Sequence, residues 1–210
     1  FSPDGKTVAS GGFDFTIRLW DVTDRQNPQP LGSPLTGHSY PVLSLTFSPD
    51  GQTLASGGCR QPDPQDQKRC LQGELYLWDV ATRQRVGRDL LDHTDWVWDL
   101  AFSPDASGGI GKNILASASF DGAIILWDVK NRDDPQPVGQ SCKGHLGQVW
   151  SVAFSPDGKT LASGGFDSNI ILWDIANQRV DVRQRLGQPW HGHGTGVLGG
   201  AFSPDGQTLA

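Results

Sequence analysis

A five-residue phrase returns along the 210-residue chain: Phe-Ser-Pro-Asp-Gly at 1, 47, 154 and 202, and Phe-Ser-Pro-Asp-Ala at 102. The intervals of 46, 55, 52 and 48 residues define repeats at about 1–46, 47–101, 102–153 and 154–201, with a partial repeat at 202–210. A period of this size marks one supersecondary unit copied and stacked, because a single copy cannot bury its own apolar face. Two other phrases keep step with the first. Each full repeat ends a segment in Trp-Asp, at Asp21, Asp79, Asp128 and Asp174. A His, after Gly in three of four cases, stands four residues before a Val that opens a short apolar run: His38, His93, His145 and His193.

Between these landmarks lie short segments of β-branched and aromatic residues bounded by Pro-Asp-Gly, Gly-Gly and Asp-Gly turns. Each repeat therefore reads as four short antiparallel strands. In the third repeat they are expected at Val97–Phe102, Ile114–Ser117, Ile124–Trp127 and about Val138–Cys142. The third strand is apolar on both faces in repeats three and four (Ile124 to Trp127, Ile170 to Trp173), as in a strand held between two other sheets. The fourth segments, with Arg83, Arg85, Arg88 and Arg179, Arg183, Arg185, read as solvated outer edges. Composition agrees: 27 glycines, and acidic residues that are Asp with the single exception of Glu74, favour turns and strands over helices.

The Gly-His, FSPDG and Trp-Asp phrases resemble the WD40 repeat family of β-propellers, and the likeness runs over nearly the whole chain. It implies an all-β fold of about four four-stranded antiparallel blades. Family members mostly carry about seven blades, so the likeness implies a truncated part of a larger propeller. The absence of Met and the start of Phe1 within a phrase point the same way. Residues 203–210 duplicate residues 2–9, so the last strand is not expected to close the first blade. The isolated chain is expected to self-associate through its uncovered end blades; a monodisperse monomer in light scattering would contradict this.

Ser, His and Asp recur together, as in a hydrolase triad. Ser stands ten residues before Trp and Asp six before it: Ser10, Asp14 and Trp20; Ser117, Asp121 and Trp127; Ser163, Asp167 and Trp173. His93 and His145 precede the latter two sets. Repetition argues for structure, because a catalytic site needs one copy in one pocket. The resemblance implies a hydrogen-bonded chain from Asp through His and Ser to the indole N–H, with no catalytic residue, cofactor or metal. Leaving such groups buried and unpaired would cost roughly 1 to 3 kcal/mol each. Two repeats depart from the pattern. The second has His38, Ser56 and Trp78 but Gln72 at the Asp position, and the first has no His before it.

The remaining features are weaker. His191 and His193 alternate on one face, but no third ligand lies near in sequence, so they read as polar and structural rather than as a metal pair. Cys59 and Cys70 are the first and last residues of a twelve-residue insertion in the second-to-third turn of repeat two; free thiols are expected there, with a disulfide at the insertion's neck as the alternative. Cys142 reads as an ordinary strand residue. The Ala-Ser-Gly-Gly-Ile-Gly-Lys-Asn tract at 106–113 lacks the Gly-Lys-Ser/Thr ending and the helix of a phosphate loop.

A net charge of −6 without a basic block argues against nucleic acid. No apolar run reaches the ~20 residues of a membrane helix. Three sparse cysteines favour the cytoplasm. The function expected is a non-enzymatic scaffold that binds a protein or peptide as part of a larger regulatory chain, with Tyr40 and Trp96 as rim anchors. The alternative is a propeller enzyme with its site in the central channel. Fold alone assigns no ligand.

Overall fold

The computed structural model describes residues 1–66, 69–105, 113–176 and 185–210. They form four antiparallel sheets, with no helix among the described residues. The chain divides into two compact halves, Phe1–Val97 and Trp98–Ala210.

The first half holds two sheets. One is β1 (Thr7–Gly11), β2 (Ile17–Asp21) and β3 (Gln29–Pro30) in that order; the other is β4 (Ser44–Phe47), β5 (Thr53–Pro62), β6 (Cys70–Asp79) and β7 (Gln84–Leu90). Ile17, Leu19 and Leu35 from the first meet Val42, Leu54, Tyr76 and Trp78 from the second in a shared apolar core. In the second half, β8 (Val97–Phe102), β9 (Ile114–Ser119) and β10 (Ala123–Asp128) make one sheet with two short outer pieces, β11 (Gln136–Pro137) and β12 (Cys142–Lys143). The other sheet is β13 (Val149–Phe154), β14 (Thr160–Gly165), β15 (Asn169–Asp174) and β16 (Trp190–His191). Ala116, Ile124 and Leu126 pack there on Val152, Leu161 and Trp173. Within this half, the β8 residue Asp99 accepts the N–H of Val152 at 2.9 Å, at the bulge between Val149 and Ser151.

The recurring phrase is a self-contained turn. In the first repeat Ser2 Oγ donates to Asp4 Oδ1 (2.6 Å) and accepts from Thr7 N–H (2.9 Å), while Asp4 also accepts from Lys6 N–H (3.1 Å). Ser48 with Asp50, Ser155 with Asp157, and Ser203 with Asp205 repeat the arrangement. Gly5, Gly51, Gly158 and Gly206 close these turns at φ between 66° and 71°, a left-handed conformation open to glycine at little steric cost. The Ser O–H first, and then the backbone N–H, hold Asp157 below the usual carboxylate range.

Strand register explains the constant spacing of Ser and Trp. Trp20, Trp78, Trp127 and Trp173 stand opposite Val8, Leu54, Leu115 and Leu161, each two residues before the Ser. Positions two apart share a face of a sheet, so each indole lies diagonally beside its Ser. The insertion of repeat two leaves this register untouched because it lengthens both arms of one hairpin, giving β5 and β6 ten residues each.

One strand expectation is corrected. The fourth strand of repeat three is not one run at Val138–Cys142 but the pieces β11 and β12, both on β10; Gly139 at φ 64° turns the chain between them, and Pro137 has no N–H to donate. The fourth segment of repeat two is an outer strand with Arg83, Arg85 and Arg88 exposed, yet it ends on Leu90, which is buried. Arg179, Arg183 and most of the 106–113 tract lie outside the described residues.

Candidate functional site

The fourth sheet shows the recurring cluster most fully. Trp173 Nε1–H donates to Ser163 Oγ at 2.9 Å, Ser163 Oγ meets His145 Nε2 at 2.8 Å, and His145 Nδ1 meets Asp167 Oδ1 at 2.9 Å. Asp167 also accepts the N–H of Leu146 (2.8 Å) and of Asn169 (3.2 Å). With Nδ1–H donating to the carboxylate and Nε2 accepting the serine O–H, each polar atom of the chain is engaged. Burial pushes the Asp167 carboxyl up, but the Leu146 N–H, the hydrogen bond from His145 and the Asn169 N–H outweigh it and hold the group below its ordinary range.

Repeat two corrects the expectation that Gln72 leaves His38 without an acid. His38 Nδ1 meets Glu74 Oε1 at 2.6 Å and His38 Nε2 meets Ser56 Oγ at 2.6 Å, while Trp78 Nε1–H donates to Ser56 at 2.8 Å. Because the hairpin runs on as strand where other repeats make their turn, no turn Asp is available. Glu74 supplies the carboxylate from within β6, on the same face as Tyr76 and Trp78. Its partner across the ladder is Gly58, where an added Cβ would lie 2.7 Å from the Pro41 carbonyl and 3.7 Å from His38 Nδ1. Glu74 also accepts the Tyr76 hydroxyl at 2.6 Å and is fully buried. Burial first, then the hydrogen bond and charge of Glu74, push the Tyr76 phenol far above its ordinary pKa. The Arg85 guanidinium lies 4.0 Å from the centre of the Tyr76 ring, and Asp89 pairs with both Arg85 and Arg60. The signal in the sequence was the chain's one Glu, placed in the repeat that lacks the Asp.

The other two sets share the indole-to-serine bond. Trp127 Nε1–H donates to Ser117 Oγ at 2.9 Å, and Asp121 accepts the Ala123 N–H at 2.9 Å. His93 is buried in the first half, and its carbonyl accepts the Gly73 N–H at 3.0 Å. In the first repeat Trp20 donates to Ser10 at 2.9 Å, and Asp14 caps its own turn through Thr16. His193 differs from its three counterparts in being exposed. Among the described residues no group of three His, Cys, Asp or Glu is placed to hold a metal.

Three of the four cluster serines are closed to solvent, while Ser10 is exposed. Ser56 and Ser117 are fully buried and Ser163 is 2% exposed, and each oxygen already accepts an indole N–H. The cleft that reaches Ser163 offers about 10 Å³, no more than a single water needs. A cavity of about 520 Å³ in the second half is lined by Ser155, Asp157, Trp190 and Phe202 among others, with no member of a Ser–His–acid cluster.

Apolar side chains crowd the loops beside these clusters. The residue seven before each Trp is Phe13, Leu71, Phe120 or Phe166, and Phe13 is 85% and Phe166 60% exposed. Leu146, next to His145, is 88% exposed. Trp98 stacks on Phe120 with ring centres 4.5 Å apart, and Trp150 meets Phe166 edge-on at 5.6 Å. Tyr40 is half-buried against Phe15 at 5.7 Å, and Trp96 is half-buried with its N–H on the Asp95 carboxylate at 2.8 Å. Sequence reasoning singled out Tyr40 and Trp96 and did not weigh the Phe series. Another expectation fails at the insertion, where Cys59 and Cys70 are joined in a disulfide.

Blade-like sheets with a Ser–His–acid–Trp chain define a class of protein, and the chain belongs to it: the family model of the WD domain, G-beta repeat, matches residues 1–21, 28–66, 84–128 and 136–174. The match passes over 67–83, the stretch that holds Glu74 and Tyr76. The chain is similar to a guanine nucleotide-binding protein subunit beta of Oryza sativa subsp. indica, 29% identical over 76% of this chain and 39% of that protein. It is similar to human WD repeat and SOCS box-containing protein 1, 40% identical over 42% of this chain and 19% of the relative. A third relative is nuclear distribution protein PAC1 of Arthroderma otae, 30% identical over 77% of this chain and 32% of that protein. The chain thus spans between a fifth and two-fifths of the length of these relatives. Among the described residues no helix is long and apolar enough to cross a membrane.

Proposed function

We propose that this chain is a non-enzymatic interaction platform that presents the loops beside its Ser–His–acid clusters to a protein or peptide partner, as part of a larger regulatory protein. The observation that carries the reading is the contrast between the two sets of residues in those loops. The polar atoms a hydrolase would need are buried and saturated, while aromatic and aliphatic side chains stand in solvent on a rigid frame. Large apolar side chains on a fixed scaffold are good anchors for a partner, and exposed apolar groups in repeated register are costly to keep without one. The names of the relatives, a G-protein beta subunit and a SOCS-box protein among them, describe parts of protein assemblies. A cytoplasmic setting belongs to the reading on cysteine usage alone.

The test is capture of partners from a native lysate by cross-linking, comparing the chain with a Trp96→Ala, Phe166→Ala, Leu146→Ala variant. Loss of the captured set with unchanged thermal unfolding supports the rim. Unchanged capture contradicts it, and turnover of ester, glycoside or phosphate substrates lost in Ser163→Ala would establish an enzyme instead.

A further inference from the structure

We infer that the Cys59–Cys70 disulfide is a redox-sensitive clasp that sets the position of the Trp96 loop; this rests on the rim proposed above and adds regulation to it. The cross-link sits where regular pairing ends. From Thr53↔Asp79 to Cys59↔Gly73 the β5–β6 ladder is continuous, and beyond Cys59 the register shifts twice, before Gln61 and again before Pro62. Pro62 has no N–H to contribute to the ladder. Past Cys59 the hairpin runs on through the shifted pairs Gln61↔Gln72 and Pro62↔Cys70 and the Asp63 N–H bond to the Arg69 carbonyl at 2.9 Å, and the sulfur bridge joins its two arms in this irregular stretch, at a sequence separation of 11.

From Cys70 the constraint passes directly to the rim. The Cys70 N–H donates to Asp95 Oδ1 at 3.0 Å, and the same oxygen accepts the Trp96 N–H at 2.8 Å. The Gly73 N–H donates to the His93 carbonyl at 3.0 Å, so β6 grips the 93–96 loop at two points. One carboxylate oxygen thus ties the backbone of a cross-linked cysteine to that of a candidate anchor. Reduction also leaves Cys70 with somewhere to put its new proton, since its sulfur lies 3.0 Å from the Gln72 carbonyl. The third cysteine, Cys142, is buried in the other half and carries no disulfide.

The chemistry is thiol–disulfide exchange with a low-molecular-weight monothiol. One thiolate attacks a sulfur of the bridge and forms a mixed disulfide, releasing the other cysteine as a thiolate that takes up a proton. A second thiolate resolves the mixed disulfide. Two monothiols are oxidised to one small disulfide, and Cys59 and Cys70 end as two thiols. Both sulfurs are buried, so exchange follows local opening of the hairpin.

The experiment is hydrogen exchange on the whole chain, poised in reduced and oxidised glutathione of varied ratio, with the state of each cysteine read by alkylation and mass spectrometry. The expected result is that Cys59 and Cys70 reduce together without denaturant. On reduction the amides of Cys70 and Trp96 then exchange about tenfold faster, while that of Val152 is unchanged. The Cys59→Ser, Cys70→Ser double variant should show the fast rates at every ratio. In Asp95→Ala, Trp96 should exchange fast whether or not the bridge is formed. Equal Trp96 rates in chemically verified reduced and oxidised protein would overturn the inference, as would a bridge that resists millimolar glutathione in the folded chain. Neither readout uses a partner, so the rim can fail its capture test while the clasp stands, and the reverse.

Discussion

At the residue scale, the same three side-chain types that make a hydrolase triad make a fastener here, and the difference is one hydrogen bond. An indole N–H occupies one of the two lone pairs of the buried Ser163 Oγ, while the imidazole and carboxylate keep their triad-like connectivity. Repeat two shows that the chain needs a carboxylate and not an Asp: Glu74 reaches His38 from a strand where no turn exists. Removing it strands the His38 and Tyr76 donors in a dry site, so Glu74→Ala should cost about 3 kcal/mol in denaturant unfolding, Glu74→Gln about 1 kcal/mol, and Gln72→Ala less than either. A Gln72→Ala cost equal to that of Glu74→Ala would contradict the geometry. Acidity gives a second check. The folded-state pKa of Asp167 is depressed, so its contribution is fully present above the unfolded value near 4 and is lost as pH falls through the lower folded value. The stability gap between the chain and Asp167→Asn should therefore be constant from pH 5 to 7 and close below about pH 4. The Tyr76 phenol shifts the other way; its contribution holds below pH ~10 and is lost as pH rises through the raised value. Absorbance titration should find Tyr76 un-ionised at pH ~11 until the fold opens.

At the element scale, the units that recur are a turn and a hairpin. The Ser-Pro-Asp-Gly turn satisfies its own donors and acceptors, so its wording alone places it, and Gly158→Ala should destabilise by about 1 kcal/mol because φ is 66° there. Hairpin register was legible as well: the ten-residue spacing of Ser and Trp is what diagonal neighbours across a two-strand ladder require, and β8 runs from Val97 to Phe102 as the pattern says. What was not legible is instructive. An insertion placed in a turn reads as a loose loop, but twelve residues shared between two arms simply lengthen both strands, and this moves the acid from position 72 to 74. Whether two cysteines eleven apart are bridged depends on how their strands face each other, which periodicity does not encode. The bridge itself should contribute about 3 kcal/mol through the closed loop, measurable as the loss of unfolding free energy in Cys59→Ser, Cys70→Ser.

At the scale of the whole molecule, repetition decides what kind of function is possible. Related clusters recur from sheet to sheet, whereas the loops around them differ between repeats. The fold class was readable because stacking copies is a collective property, visible in the period. The rim was only half readable: Tyr40 and Trp96 stood out as exceptions, whereas Phe13 and Phe166 recur at one position of the repeat and are set apart by their exposure. The account rests on the Ser–His–acid–Trp chains being what stiffens the sheets that carry them, so a double-mutant cycle between His145→Ala and Trp173→Phe, read by urea unfolding, tests it most directly. A coupling of about 1 to 3 kcal/mol transmitted through Ser163 is the predicted result; two strictly additive substitutions would contradict it.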